Sequence, residues 1–160
     1  MNLIQARKTL YMDYCHELDS YDPEHEDFLH YFTRFKAIRS CKAYMKKKGF
    51  EWIDIYNKAN ILIGFLIIGR DLSIHGEGLY ICEAYIMPEE RSRGYMSSEI
   101  NNILKENAGN VYMEIFDLNK RAVRFWRNRM SDYSAMLVDK NTSFSKVPGL
   151  TEYHYYIPAK

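Results

Sequence analysis

The run Ile61-Leu62-Ile63-Gly64-Phe65-Leu66-Ile67-Ile68 most limits the folds open to this chain. It is far too short to span a bilayer as a helix. A strand with no polar side chain on either of its alternating faces has to be covered on both, as in the interior of a sheet flanked by helices. Just upstream, Glu51-Trp52-Ile53-Asp54-Ile55-Tyr56 alternates and Asn57-Lys58-Ala59-Asn60 is turn chemistry, so the two segments read as a hairpin. With 160 residues, 47% of them hydrophobic and 15% aromatic, the chain can bury a core without disulfides or metal. We read 1–160 as one domain.

The most informative chemistry lies in 79–104. Leu79 to Met87 is β-branched, aromatic and small, Pro88 and Gly94 mark a turn, and Met96, Ile100, Ile103 and Leu104 recur at helical spacing. This predicts strand, turn, helix. A turn that opens a helix aims unpaired N–H groups and a positive dipole end at its occupant, and so selects an anion. Arg91 and Arg93 place two cations beside those groups, and Gly94 lets the backbone approach a bulky phosphate. A phosphate or pyrophosphate is the expected guest.

Charge and cysteine content exclude several classes. The formal net charge of +1 creates no global field for nucleic acid or anionic membrane. The Lys46-Lys47-Lys48 run has no interleaved aromatics and reads as a solvated end. Cys15, Cys41 and Cys82 are odd in number and lack metal-ligand spacing, which predicts a reducing compartment, no metal and no disulfide framework. No basic-then-apolar signal precedes the first elements, so a cytoplasmic location is expected. Oligomeric state is left as monomer or homodimer, with Tyr153, Tyr155 and Tyr156 on a final strand that would offer an exposed edge.

In chain order, 3–6 reads as a short first strand and 8–19 as a helix. After Pro23, Phe28, Leu29, Phe32, Phe35 and Ile38 predict an amphipathic second helix from Glu26, whose aromatic stripe packs on the sheet. The helical pattern extends through 42–48 until Gly49 stops it. Residues 69–78 form a polar loop with His75 and Glu77. The helix that begins after Gly94 ends near Gly109, Val111 to Phe116 is a strand, Asn119 caps a helix carrying Ala122, Val123, Trp126 and Met130, and 134–138 and 153–157 are strands. Acidic residues dominate between Thr9 and Thr33, where Lys and Arg are absent, and basic ones between Arg34 and Lys48. Two readings of this segregation stand: solvated faces with a salt-bridged helix pair, or an acidic lip that attracts a cationic amine.

Two blocks carry a family resemblance. Arg91-Ser92-Arg93-Gly94-Tyr95-Met96, following a strand, resembles the acyl-CoA signature of the GNAT N-acetyltransferase superfamily, Gln/Arg-x-x-Gly-x-Gly/Ala. Arg91 and Gly94 match, and Met96 departs. Asn119-Lys120-Arg121-Ala122-Val123-Arg124-Phe125-Trp126 resembles the family's Asn-x-x-Ala-x-x-Phe/Leu-Tyr helix, with Trp126 where Tyr is usual. The resemblance implies an α/β (α+β) fold with a mixed, mostly antiparallel central sheet of six to seven strands and helices on both faces. It further implies acetyl transfer from acetyl-CoA, as cosubstrate, to a primary amine. The departures keep a second class open: a non-catalytic acyl-CoA-binding or protein-interaction relative.

Carried over by position, the resemblance assigns the acetyl and pantetheine contacts to Ala84, Tyr85 and Ile86. Pyrophosphate falls to Arg91, Ser92, Arg93, Gly94, Tyr95, Met96 and Ser97, and the remaining coenzyme contacts to Asn119, Phe125 and Trp126. The amine arrives protonated and needs a base, and Glu83 is the only carboxylate on the central strand. It is either that base, with a raised pKa, or the partner of a basic side chain. Plain alternation places it with Ile81 and Tyr85, opposite Cys82, Ala84 and Ile86, unless a bulge intervenes. His75, Glu77 and Tyr80 are reserve candidates. Trp126 cannot give up a proton near neutral pH, so it either lines the pantetheine tunnel or is plain core, and Tyr133 is the nearest downstream phenol. Met96 is compatible with coenzyme binding if its side chain turns into the core.

Overall fold

The structure is a computed structural model that describes residues 1–21, 34–72, 76–142 and 147–160, with the backbone alone at 34–38 and 142. The elements run α1 (Leu3–Asp19), α2 (Arg34–Lys46), β1 (Phe50–Tyr56), β2 (Leu62–Arg70), β3 (Leu79–Ile86), a 3₁₀ turn (Pro88–Glu90), α3 (Tyr95–Leu104), β4 (Gly109–Phe116), α4 (Lys120–Asp132), β5 (Met136–Thr142) and β6 (Leu150–Ile157). One six-stranded sheet has the order β1-β2-β3-β4-β6-β5. Every neighbouring pair is antiparallel except β3 with β4. The expected mixed, mostly antiparallel sheet with helices on both faces is what forms.

β2 is buried from Ile63 to Gly69. Its side chains divide between two cores as the unbroken apolar run requires. Phe65 and Ile67 join Leu10, Tyr11, Tyr14 and Cys15 of α1 and Cys41 of α2. Leu66 and Ile68 join Ile100, Ile103 and Leu104 of α3 and Trp126 and Met130 of α4.

Three expectations need correction. The strand predicted at 3–6 is the first turn of α1, because Asn2 Oδ1 accepts from the Gln5 N–H at 2.8 Å and caps the helix there. Leu3 and Ile4, which suggested a strand, stay exposed. The final strand is not an edge: β6 lies between β4 and β5, and Tyr153 and Tyr155 are buried. The third helix ends at Leu104 and not near Gly109, where β4 already begins. The predicted helix start at Glu26, with Phe28, Leu29 and Phe32, lies outside the described residues, as does His75. Among the described residues no helix is long and apolar enough to cross a membrane.

Candidate active site

The site is built where the sheet opens. β3 and β4 pair only from Leu79–Val111 to Ile81–Met113, and beyond these three pairs the strands are no longer joined. Two cavities meet at the gap. One, of about 400 Å³, is a cleft between the β3 end, the start of α3 and α4. The other, of about 380 Å³, lies between the parted strands and is lined by Cys82, Glu83 and Ala84 of β3 and Glu114, Ile115 and Phe116 of β4. Tyr14, Leu18, Ala84, Asn119, Ala122 and Trp126 line both.

At the far end of the cleft the chain turns from β3 into α3. Ser92 (φ 63°) and Gly94 (φ 83°) adopt left-handed backbone. An L side chain tolerates that conformation poorly, which explains glycine at 94, where an added Cβ would otherwise meet nothing within 4 Å. Gly94 occupies the N-cap position without a side-chain acceptor. α1 and α4, by contrast, are capped by Asn2 and Asn119. The N-terminus of α3 therefore faces the cleft with its dipole end uncapped, suited to an anion. Met96 packs partly into the α3/α4 core and also lines the cleft.

Arg91 does not point freely into this mouth. Its Nε donates to the Ile86 carbonyl at 2.7 Å, and its Nη1 and Nη2 meet the Glu17 carboxylate of α1 at 2.7 and 2.8 Å. Its guanidinium lies over the Tyr85 ring, 5.5 Å from the centroid. Arg93 is 60% exposed and 3.4 Å from Glu90. The Ser97 hydroxyl accepts from Arg129 Nη1 at 3.1 Å. Thus Arg91 fastens α1 to the turn, and Arg93 is the more exposed cation at its rim.

Glu83 owes its position to a bulge. The register with β2 runs Ile67–Glu83 and then Ile68–Ile81, leaving Cys82 without an opposite residue. Glu83 therefore shares a face with Tyr85 but not with Ile81, and Cys82 packs on the α1/α2 side with it. Both carboxylate oxygens are engaged: the Tyr14 hydroxyl donates to Oε2, and the Tyr44 hydroxyl lies 3.3 Å from Oε1. No described basic side chain pairs with it. Burial raises the Glu83 carboxyl from its ordinary 4.5 to about 7, the tyrosine hydrogen bonds offset part of that rise, and the nearby Glu114 charge adds to it. Glu114 itself accepts from Tyr80 at 2.5 Å.

A family model for the acetyltransferase (GNAT) family matches residues 9–130. The chain belongs to that family. No curated protein matches its sequence. Among solved structures, the spermidine N-acetyltransferase from Vibrio cholerae in complex with CoA and spermine aligns with a TM-score of 0.61 at 13% identity, over 96% of this chain and 88% of that one. The apo form of YjaB from Escherichia coli gives 0.60 at 14%, over 99% and 95%. Arabidopsis thaliana NAA60 in complex with a bisubstrate analogue gives 0.55 at 18%, over 92% and 95%. Identities of this size carry the fold and not the substrate.

In this GNAT chain Ala84, Tyr85, Ile86, Arg91, Ser92, Arg93, Gly94, Tyr95, Met96, Ser97, Asn119, Phe125 and Trp126 all line the first cleft. Glu83 and Tyr80 line the second cavity. Glu77 lines neither, and Tyr133 is turned away, donating its hydroxyl to Asn101 at 2.7 Å. Trp126 is both core, 6% exposed, and a wall of both cavities. The sequence reading missed Tyr14, Tyr44 and Glu114, and placed Glu17 only within the acidic segment between Thr9 and Thr33. Tyr14 and Glu17 sit one turn apart on α1, and Glu114 is the only carboxylate of β4, a signal of the same kind that singled out Glu83.

Proposed function

We propose that this GNAT protein is an N-acetyltransferase that moves an acetyl group from acetyl-CoA to a primary amine of a small molecule, peptide or protein by direct attack. The observation that carries the reading is the meeting of two cavities at the β3–β4 gap, one ending on the uncapped start of α3 and the other holding Glu83. Pyrophosphate suits the first end, where Gly94 leaves open space and Met96 turns partly into the core. The thioester supplies an activated carbonyl. In the parted region, β3 residues 82–86 have no ladder partner on β4, which leaves backbone there to hold the acetyl and pantetheine groups.

Acceptor chemistry is read from the second cavity. Its lining includes the carboxylates Glu83 and Glu114 and the phenols Tyr14, Tyr44 and Tyr80, with no Lys, Arg or His among its described residues. Such a wall favours an ammonium and disfavours an anion. With its carboxyl raised to about 7, Glu83 is ionised above neutrality and basic enough to take the proton from the attacking nitrogen. The relatives solved with spermine and with a bisubstrate analogue support this class of reaction without naming the acceptor.

Thiol release from acetyl-CoA across a panel of amines tests the reading. Amine-dependent release is expected. Coenzyme binding without such turnover would instead assign a non-catalytic acyl-CoA-binding module.

A further inference from the structure

Acetyl transfer leaves a proton on the amine side and a thiolate on the coenzyme side. The residue at the α4 position where the family signature has a phenol is Trp126, whose indole N–H is not released near neutral pH. Tyr14 stands on both sides of the divide. Its hydroxyl donates to Glu83 Oε2, and it lines both the coenzyme cleft and the acceptor cavity. Tyr44 also reaches Glu83 but lines the acceptor cavity alone, and Tyr85 and Tyr95 line the cleft alone. The Tyr14 ring is held edge-on by Phe65 at 5.6 Å and by Tyr11 at 5.7 Å, so its hydroxyl is fixed and not swept through solvent.

We infer that Tyr14 relays the amine's proton from Glu83 to the departing coenzyme sulfur, supplying from α1 the donor that α4 lacks. This rests on the acetyltransferase reading above. The cationic amine loses two protons. One passes to solvent as the neutral amine forms. As the nitrogen lone pair forms the C–N bond, the other moves to Glu83, and the C–S electron pair leaves with sulfur. Sulfur then takes the Tyr14 hydroxyl proton while Tyr14 recovers the proton held on Glu83. Both side chains end as they began, and the products are the amide and the free thiol.

A relay suits this phenol better than simple ionisation. Burial and the adjacent Glu83 charge hold the Tyr14 hydroxyl well above its ordinary range, so a free phenolate is disfavoured while a concerted exchange is not. Among the described residues, the titratable groups that face Glu83 are Tyr11, Tyr14 and Cys15 of α1, Tyr44 of α2, Cys82 of β3 and Glu114 of β4. None of them is a cation that would hold the proton instead.

The test compares Tyr14→Phe with Tyr44→Phe in the full chain. Each removes one donor to Glu83, so ¹³C NMR titration of that carboxyl should show a raised pKa in both. With acetyl-CoA, Tyr14→Phe should lower kcat on the order of 10²-fold at unchanged coenzyme Kd. With an acetyl aryl thioester, whose thiolate leaves without protonation, the same variant should return to within several-fold of wild type. Tyr44→Phe should show the same proportional loss with both donors. Equal losses in the two variants irrespective of donor, or wild-type turnover in Tyr14→Phe, would overturn the relay while leaving the acetyltransferase reading intact. A wild-type protein with no amine-dependent turnover would sink both. Should Tyr14→Phe not fold, fluorotyrosine at position 14 keeps the packing and makes the hydroxyl more acidic. It should change both kcat and the solvent isotope effect, and unchanged values would overturn the relay.

Discussion

Arg91 and Glu17 form a two-pronged ion pair that ties α1 to the turn before α3, with N–O distances of 2.7 and 2.8 Å. A carboxylate thereby occupies the wall of a cleft otherwise suited to an anion. Glu17→Gln removes that charge and leaves Arg91 free to turn inward. Coenzyme Kd measured by calorimetry should tighten several-fold at low ionic strength, and the gain should shrink in high salt. Because the pair is only 16% and 25% exposed, removing one partner leaves a largely buried guanidinium unpaired, and thermal unfolding should register a loss on the order of 1–3 kcal/mol.

Glu83 links activity and stability to pH in opposite directions. As a base it works when ionised, so kcat/KM should rise through an apparent pKa of about 7 and level off above it. Glu83→Gln should flatten that profile and lower turnover on the order of 10²- to 10⁴-fold. The folded-state pKa lies above the unfolded one, so the folded chain holds this proton more tightly. Its contribution to stability is complete below pH 4.5 and is lost as pH rises through about 7. Denaturant titrations at pH 5 and pH 8 should show Glu83→Gln gaining on wild type at the higher pH, by on the order of 1–3 kcal/mol.

Gly94 separates backbone strain from ligand contact. Gly94→Ala and Gly76→Ala both place a side chain at positive φ, 83° and 76°, where an added Cβ meets nothing within 4 Å. Each should cost about 1 kcal/mol of stability. Only Gly94→Ala should weaken coenzyme binding, since only that position lines the cleft. Equal Kd values for the two variants would remove the α3 N-terminus as the phosphate contact.

Asn119 caps α4 through Oδ1, which accepts from the Ala122 N–H at 3.1 Å. It also lines both cavities. Asn119→Ala should lower stability by about 1 kcal/mol, and Asn119→Asp, a comparable cap, should recover most of it. Paired melting curves of the two variants check this.

What the sequence reveals, and what it hides, follows from the range of the interactions. The apolar run at 61–68 and the turn at 88–94 declare themselves because neighbours along the chain decide them. The Asn119 cap is equally local. The Glu83 environment is not: its partner Tyr14 is 69 positions away, and the bulge at Cys82 that turns Glu83 toward α1 depends on the register with β2. Alternation alone therefore grouped Glu83 with Ile81, which sits in the opposite core. The Arg91–Glu17 pair is equally hidden from the sequence, since its partners lie 74 positions apart. Nor does any residue in 150–157 announce that this strand will sit inside the sheet, since that depends on β4 and β5 together.

That insertion of β6 has a consequence for synthesis. β4 and β5 precede β6 in the chain, yet each reaches the other only through it. During translation β1, β2 and β3 can assemble in the order in which they emerge, whereas β5 has no sheet neighbour until residues 150–157 leave the ribosome. A nascent chain stalled before that point carries an unpaired β4 rim beside a finished front half, and that rim is the surface a chaperone would have to shield.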